Sequence, residues 1–220
     1  MKYGNSSRPR RVFGITFGVL LQVTIAWSVA AQTRAALQPF AQQVRQVETS
    51  LAFLGQPLAQ KDLEAINHAI GNANEAGAIE QVEQILDRYT LAIVDINAEG
   101  RVKVLAGSVK PELVEAGTRI FLVKVINKAG VTAPLVAESP NALPLFVQSD
   151  SSPEPPKKIS AEDTRNRWMG LELYDKEPMS PRLTGLPLEY RILQIYSRDQ
   201  GQRSGAMLGR ERKTLDFVMR

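Results

Sequence analysis

Between Gln32 and Tyr89 the apolar positions recur at helical spacing. Leu37, Phe40, Val44, Val47, Leu51 and Leu54 step alternately by three and four, which places them on one face of a helix. Pro39 suits its first turn, where a missing N–H costs nothing, and Gly55 and Pro57 stop it. A second helix is predicted from about Lys61 to Ile70, with Leu63, Ile66 and Ile70 inward and Gly71 as terminator. A third is predicted from about Glu75 to Tyr89, with Ile79, Val82, Ile85, Leu86 and Tyr89 inward. The stripes are too short to sustain a coiled-coil seam, so they read as faces packed on a core.

After Tyr89 the period shortens to that of strands. Leu91–Ile96 and Arg101–Leu105 flank Asn97-Ala98-Glu99-Gly100, a hairpin turn closed by glycine. Thr118 to Ile126 is the strongest strand, and Asn127-Lys128-Ala129-Gly130 turns it toward Thr132–Val136. Trp168 to Tyr174 and Leu188 to Ser197 follow, separated by Pro178, Pro181, Gly185 and Pro187. In the last of these, Leu188, Tyr190, Ile192 and Tyr196 face one way and Leu193 and Ile195 the other, as in an interior strand. The expected class is α+β: short amphipathic helices followed by an antiparallel, immunoglobulin-like β-sandwich. The expected division is a leader at 1–31, a helical region at 32–90, a β-rich domain at 91–202 and an irregular tail at 203–220. An exposed Ser/Pro loop falls at about 149–160.

The leader changes how the composition is read. Lys2, Arg8, Arg10 and Arg11 precede an apolar run from Val12 to Ala30, and Val29-Ala30-Ala31 offers small residues for cleavage before Gln32. This predicts a secreted or periplasmic protein; the alternative is an uncleaved anchor formed by residues 12–31. Arg10-Arg11-Val12-Phe13 is a fragment of a twin-arginine pattern without its full consensus. Of 27 basic residues against 23 acidic ones, four basic ones lie in this leader, so the remainder is formally neutral. The net charge of +4 therefore belongs to the address, and no nucleic-acid partner is expected. Cysteine is absent, so stability rests on the apolar core without disulfides.

Candidate chemistry is sparse. Asp95-Ile96-Asn97-Ala98-Glu99-Gly100 imitates the start of a calcium loop, but the twelfth position is Ala106 and the flanks are strands, which favours an ordinary turn. His68, the sole histidine, lies on a predicted helix beside Asn67 and Asn72; without cysteine it cannot complete the usual zinc sets and reads as exposed or capping. Glu172, Asp175, Glu177 and Glu189 lie near Arg182 and Arg191 in sequence, where paired acids could do glycosidic chemistry or simply form surface ion pairs. Trp168, Tyr174, Tyr190 and Tyr196 on the late strands could stack on sugars, with core packing the commoner use. No catalytic, cofactor-binding or metal residue is assigned, and no cofactor is expected.

Several stretches carry a resemblance. They are Ile96–Val104 through Pro111–Val114, Phe121–Asn127, Gly130–Leu135 and Ser139–Ala142, and most specifically Arg167-Trp168 to Lys176 with Glu189–Asp199. Together, over residues 80–202, they resemble the N-terminal region of large exported, planctomycete-like bacterial proteins. In those proteins a non-catalytic β-rich segment precedes a metallohydrolase domain of the polymerase-and-histidinol-phosphatase type. The family's metal-binding residues belong to that downstream domain, and none maps onto this chain. In the family the segment after Ser197-Arg198-Asp199 leads to a run reading Asp-Leu-Gly-Phe-Arg-Asn-Glu. One codon choice for Lys213 to Arg220, read from the third base of the lysine codon, spells that run. The resemblance therefore implies a frameshift between about Ala206 and Lys213 and a truncated product. The function expected is an exported accessory domain that positions or binds a protein or glycan of the cell envelope. The alternatives are an envelope enzyme acting on glycans through Glu172 and Glu189, or a membrane-anchored interaction module.

Overall fold

Helix α1, Leu37–Phe53, buries the stripe its sequence announces: Leu37, Phe40, Val44, Val47 and Leu51, joined by the polar Gln43 and Ser50. Its end is closed by two backbone bonds, Gly55 N–H to the Ala52 carbonyl and Gln56 N–H to that of Leu51, which satisfy carbonyls the helix leaves open. α2 is Gln60–Ile70, and α3 is Glu75–Asp87, capped by the Asn74 side chain accepting from Gly77 N–H at 3.2 Å. The strands are β1 Thr90–Ile96, β2 Val102–Ala106, β3 Glu112–Leu113 and β4 Thr118–Asn127. After a short helix α4, Ala161–Asn166, come β5 Met169–Leu173, β6 Leu188–Ser197, β7 Gln202–Leu208 and β8 Arg212–Met219.

Apart from Met1, the computed structural model describes residues 36–142, 161–208 and 212–219. The expected leader at 1–31 and the Ser/Pro loop at about 149–160 lie outside the described residues. Everything below concerns the unit formed by residues 34–220.

The protein is α+β, and its main sheet has the order β2-β1-β4-β6-β5, curled toward a half-barrel. The expectation of an antiparallel, immunoglobulin-like sandwich needs correction. β1 and β4 run parallel, with Val94 beside Val125, while β1–β2, β4–β6 and β5–β6 are antiparallel. Three helices cover one face. Phe40, Val44, Val47, Leu51, Ile66, Val82 and Leu86 pack there on Leu122, Leu188, Tyr190 and Ile192. On the opposite face Phe121, Val123, Val125, Leu193 and Ile195 meet Leu113, Trp168, Met169 and Leu183. Each such aliphatic or aromatic side chain contributes about 1.5–3 kcal/mol on full burial. Apolar alternation shows that both sheet faces are covered but does not encode whether a helix or another sheet covers them, and this is where the sandwich expectation failed.

The C-terminal stretch is likewise not irregular. β7 and β8 form an antiparallel hairpin, and β8 pairs in parallel with β3, Leu113 beside Met219. Leu215, Phe217 and Met219 alternate with Thr214 and Asp216, a strand period masked by the surrounding charges. The stretch predicted as a strand at Thr132–Val136 forms only one bridge, between Pro134 and Arg182. Proline has no N–H to extend a ladder further.

Candidate functional site

The four carboxylates near Arg182 and Arg191 do not converge. Glu172 on β5 pairs with Gln194, whereas Glu189 lies five positions earlier on β6. Because side chains alternate across a strand, Gln194 and Glu189 point to opposite faces of the sheet. Five residues also separate them by about 17 Å along the strand, beyond the roughly 5–9.5 Å of a glycosidase pair. Asp175 and Glu177 are exposed, and Asp175 faces Lys176 at 3.5 Å.

Glu189 itself is fully buried. Both of its carboxylate oxygens accept the Thr184 N–H, each at 3.1 Å. Two residues along, buried Arg191 donates through Nη1 to the Arg182 carbonyl at 3.3 Å and through Nη2 to that of Ser180. Burial raises the Glu189 pKa above the ordinary carboxylate value, against the opposing pull of the Thr184 N–H and of Arg191. Burial lowers that of Arg191, opposed by Glu189 and Asp175. The two charges thus clamp the 180–184 loop over the sheet, a structural use of residues that in sequence suggested chemistry.

At the Asp95–Gly100 turn the polar atoms are turned on one another. Asn97 Oδ1 accepts the N–H of Glu99 at 3.1 Å and of Arg101 at 2.8 Å, and Asp95 faces Lys128 at 3.4 Å. Among the described residues no group of three or more His, Asp or Glu side chains could hold a metal ion. The late aromatics divide. Trp168, Tyr174 and Tyr190 are buried, while Tyr196 is 43% exposed and stands on β6 between Gly170 and Thr118.

Two polar clusters that sequence reasoning missed lie around α3. Lys124, on the helix-covered face of β4, is buried and sits 2.5 Å from Glu83 and 2.9 Å from Asp87. The Tyr190 hydroxyl donates to Asp87 at 3.2 Å, and burial with the neighbouring Asp87 and Glu83 pushes its pKa far above the ordinary phenol value. The only advance sign was a lysine inside an otherwise apolar strand. In the second cluster, buried Asp62 accepts from Arg88 Nη2 at 2.7 Å and from the Tyr89 hydroxyl at 2.5 Å. Burial, and next the Asp62 hydrogen bond, raise the Tyr89 pKa.

Beside that second cluster a groove of about 440 Å³ opens between α2 and α3, lined by Ala65, His68, Gln81, Gln84, Ile85 and Arg88. Its walls follow from helical spacing. Gln81, Gln84, Ile85 and Arg88 fall on one face of α3 and its cap, and Ala65 and His68 fall one turn apart on α2. His68 is exposed, as its sequence context suggested, but it shares this groove with a guanidinium and two amides.

Comparison with known protein families, curated protein sequences and solved structures returned no match. The class that the fold defines is accordingly an α+β domain with three helices on a mixed sheet. Among the described residues no helix is long and apolar enough to cross a membrane.

Proposed function

We propose that this chain is an exported, non-catalytic accessory domain that binds a glycan or protein of the cell envelope. In this reading, as the sequence resemblance implies, such a domain precedes a metallohydrolase of the polymerase-and-histidinol-phosphatase type. One observation carries the non-catalytic reading: Glu172 and Glu189, the carboxylates best suited to glycosidic chemistry, belong to opposite faces of the sheet. The exposed ring of Tyr196 supports the binding half of the reading, because an aromatic face at a sheet surface can stack on a sugar. Cleavage of the leader before Gln32 completes it.

The test uses the exported protein. N-terminal sequencing is expected to start at Gln32; an intact Met1 would instead indicate an anchor. Incubation with isolated cell-wall glycan should give saturable retention, weakened in Tyr196→Ala, with no release of reducing ends. Reducing ends that disappear in Glu189→Gln would overturn the reading in favour of an envelope enzyme.

A further inference from the structure

We propose that the groove between α2 and α3 is a binding site for a sugar acid, a polyhydroxylated ring bearing one carboxylate. This deepens the glycan-binding reading above and rests on it for the biological source of the ligand. The volume of about 440 Å³ falls within the range of small-ligand sites. Exposed Ala65 leaves the space open, since its side chain ends at Cβ, and beside it half-buried Ile85 supplies an apolar surface suited to the C–H face of a pyranose.

The polar walls fit the rest of such a ligand. Gln81 offers a carbonyl and an NH₂, and Gln84, whose Nε2 also donates to Glu80 at 3.4 Å, offers its carbonyl, matching hydroxyls that both donate and accept. Arg88 is held in place from behind: its Nη2 is bound to Asp62, and its Nε reaches the Ile85 carbonyl at 3.4 Å. Its Nη1 and an N–H of the exposed His68 imidazole have no partner among the described residues. A carboxylate is the group that accepts from such donors. Asp62 offsets much of the Arg88 charge, so the groove suits a monoanion and not a polyphosphate.

Titration of the isotope-labelled exported protein with sodium glucuronate, followed by amide NMR, tests this. Saturable shifts are expected at residues 65, 68, 81, 84 and 88, with affinity about tenfold above that for glucose or sodium acetate. Ala65→Trp, which fills the groove, and Gln81→Leu should each weaken glucuronate about tenfold or more without altering the remaining spectrum. Equal affinity for acetate, equal affinity for glucose, undiminished binding in Ala65→Trp, or no saturable shift would each overturn the assignment. Retention on cell-wall glycan by a protein that gives no saturable glucuronate shift removes the groove and leaves the accessory function standing. Glucuronate bound in the groove by a protein that ignores cell-wall glycan does the reverse.

Discussion

Gln43 of α1 completes the backbone of Tyr190 on β6: its Nε2 donates to the Tyr190 carbonyl at 2.6 Å, and its Oε1 accepts the Tyr190 N–H at 3.3 Å. The need arises because β5 ends at Leu173, opposite Leu193, and beyond it, among the described residues, Tyr174 N–H gives the last backbone bond to this edge of β6, at the Ile192 carbonyl. Past that point an interior strand becomes an edge inside the core. A single primary amide has the donor and acceptor to replace the missing strand. Replacement by leucine leaves two buried backbone groups without partners. Gln43→Leu should therefore lose about 2–4 kcal/mol, read from the urea midpoint at unchanged m-value. A loss below about 0.5 kcal/mol would mean that the amide is not needed there.

Lys124 joins α3 to the sheet through Glu83 and Asp87. Removing one partner of a buried pair is strongly unfavourable, but here both carboxylates are about one-third exposed and water screens them. Lys124→Met is expected to cost about 2 kcal/mol. The triple variant with Glu83→Gln and Asp87→Asn should recover at least half of it. If the triple variant is as unstable as the single one, the loss comes from packing and not from charge.

Glu189 sets a pH dependence. Its pKa in the folded protein lies above the ordinary carboxylate value, chiefly through desolvation, so the native state holds the proton more tightly than the unfolded chain does. Its contribution to stability is therefore full below the ordinary carboxylate range and is lost as pH rises through the raised value. Relative to Glu189→Gln, which carries no charge at any pH, the native protein should become progressively less stable as pH rises from the ordinary carboxylate range through the raised value. Urea midpoints of the two proteins across that interval measure the slope. A slope of the opposite sign would show that the Thr184 N–H and Arg191 outweigh burial.

Two glycines that look alike in sequence should respond differently to alanine. At Gly107 a Cβ would lie 2.0 Å from the Thr90 carbonyl oxygen and 2.6 Å from its carbon, both of them backbone atoms that cannot step aside. Gly107→Ala is expected to cost about 3 kcal/mol or more. Gly100, in the β1–β2 turn, has φ +75° and open space around it, so Gly100→Ala meets only the left-handed backbone penalty of about 1–2 kcal/mol. Thermal unfolding of the pair checks the order, and equal losses would contradict the close approach at Gly107.

Local periodicity carried much of the fold into view. The stripe of Phe40, Val44, Val47 and Leu51 marked α1, and the strand period from Leu188 to Ser197 matched β6 at both ends. Both are properties of neighbouring residues along one element, and hydrophobic burial acts on them wherever the element docks. The hairpin at Asn97–Gly100 was legible for a similar reason, because its hydrogen bonds close within five residues.

Nothing local distinguishes Asp62 or Gln43 from solvated residues, and the apolar strand around Lys124 does not name its partners, since all these partners lie 26 to 147 positions away. For the same reason Glu172 and Glu189 resembled a catalytic pair until strand register set them on opposite faces. The α2–α3 groove exists only because two helices separated in sequence lie side by side. The sequence by itself determined helices α1 to α3 and strands β1, β2, β4, β5 and β6 and which of their faces seek burial, because those follow from short-range geometry and the hydrophobic effect. The tertiary structure alone decided that β1 and β4 run parallel, that helices cover one sheet face, and which polar groups meet. Those outcomes depend on long-range contacts, and no periodicity encodes them.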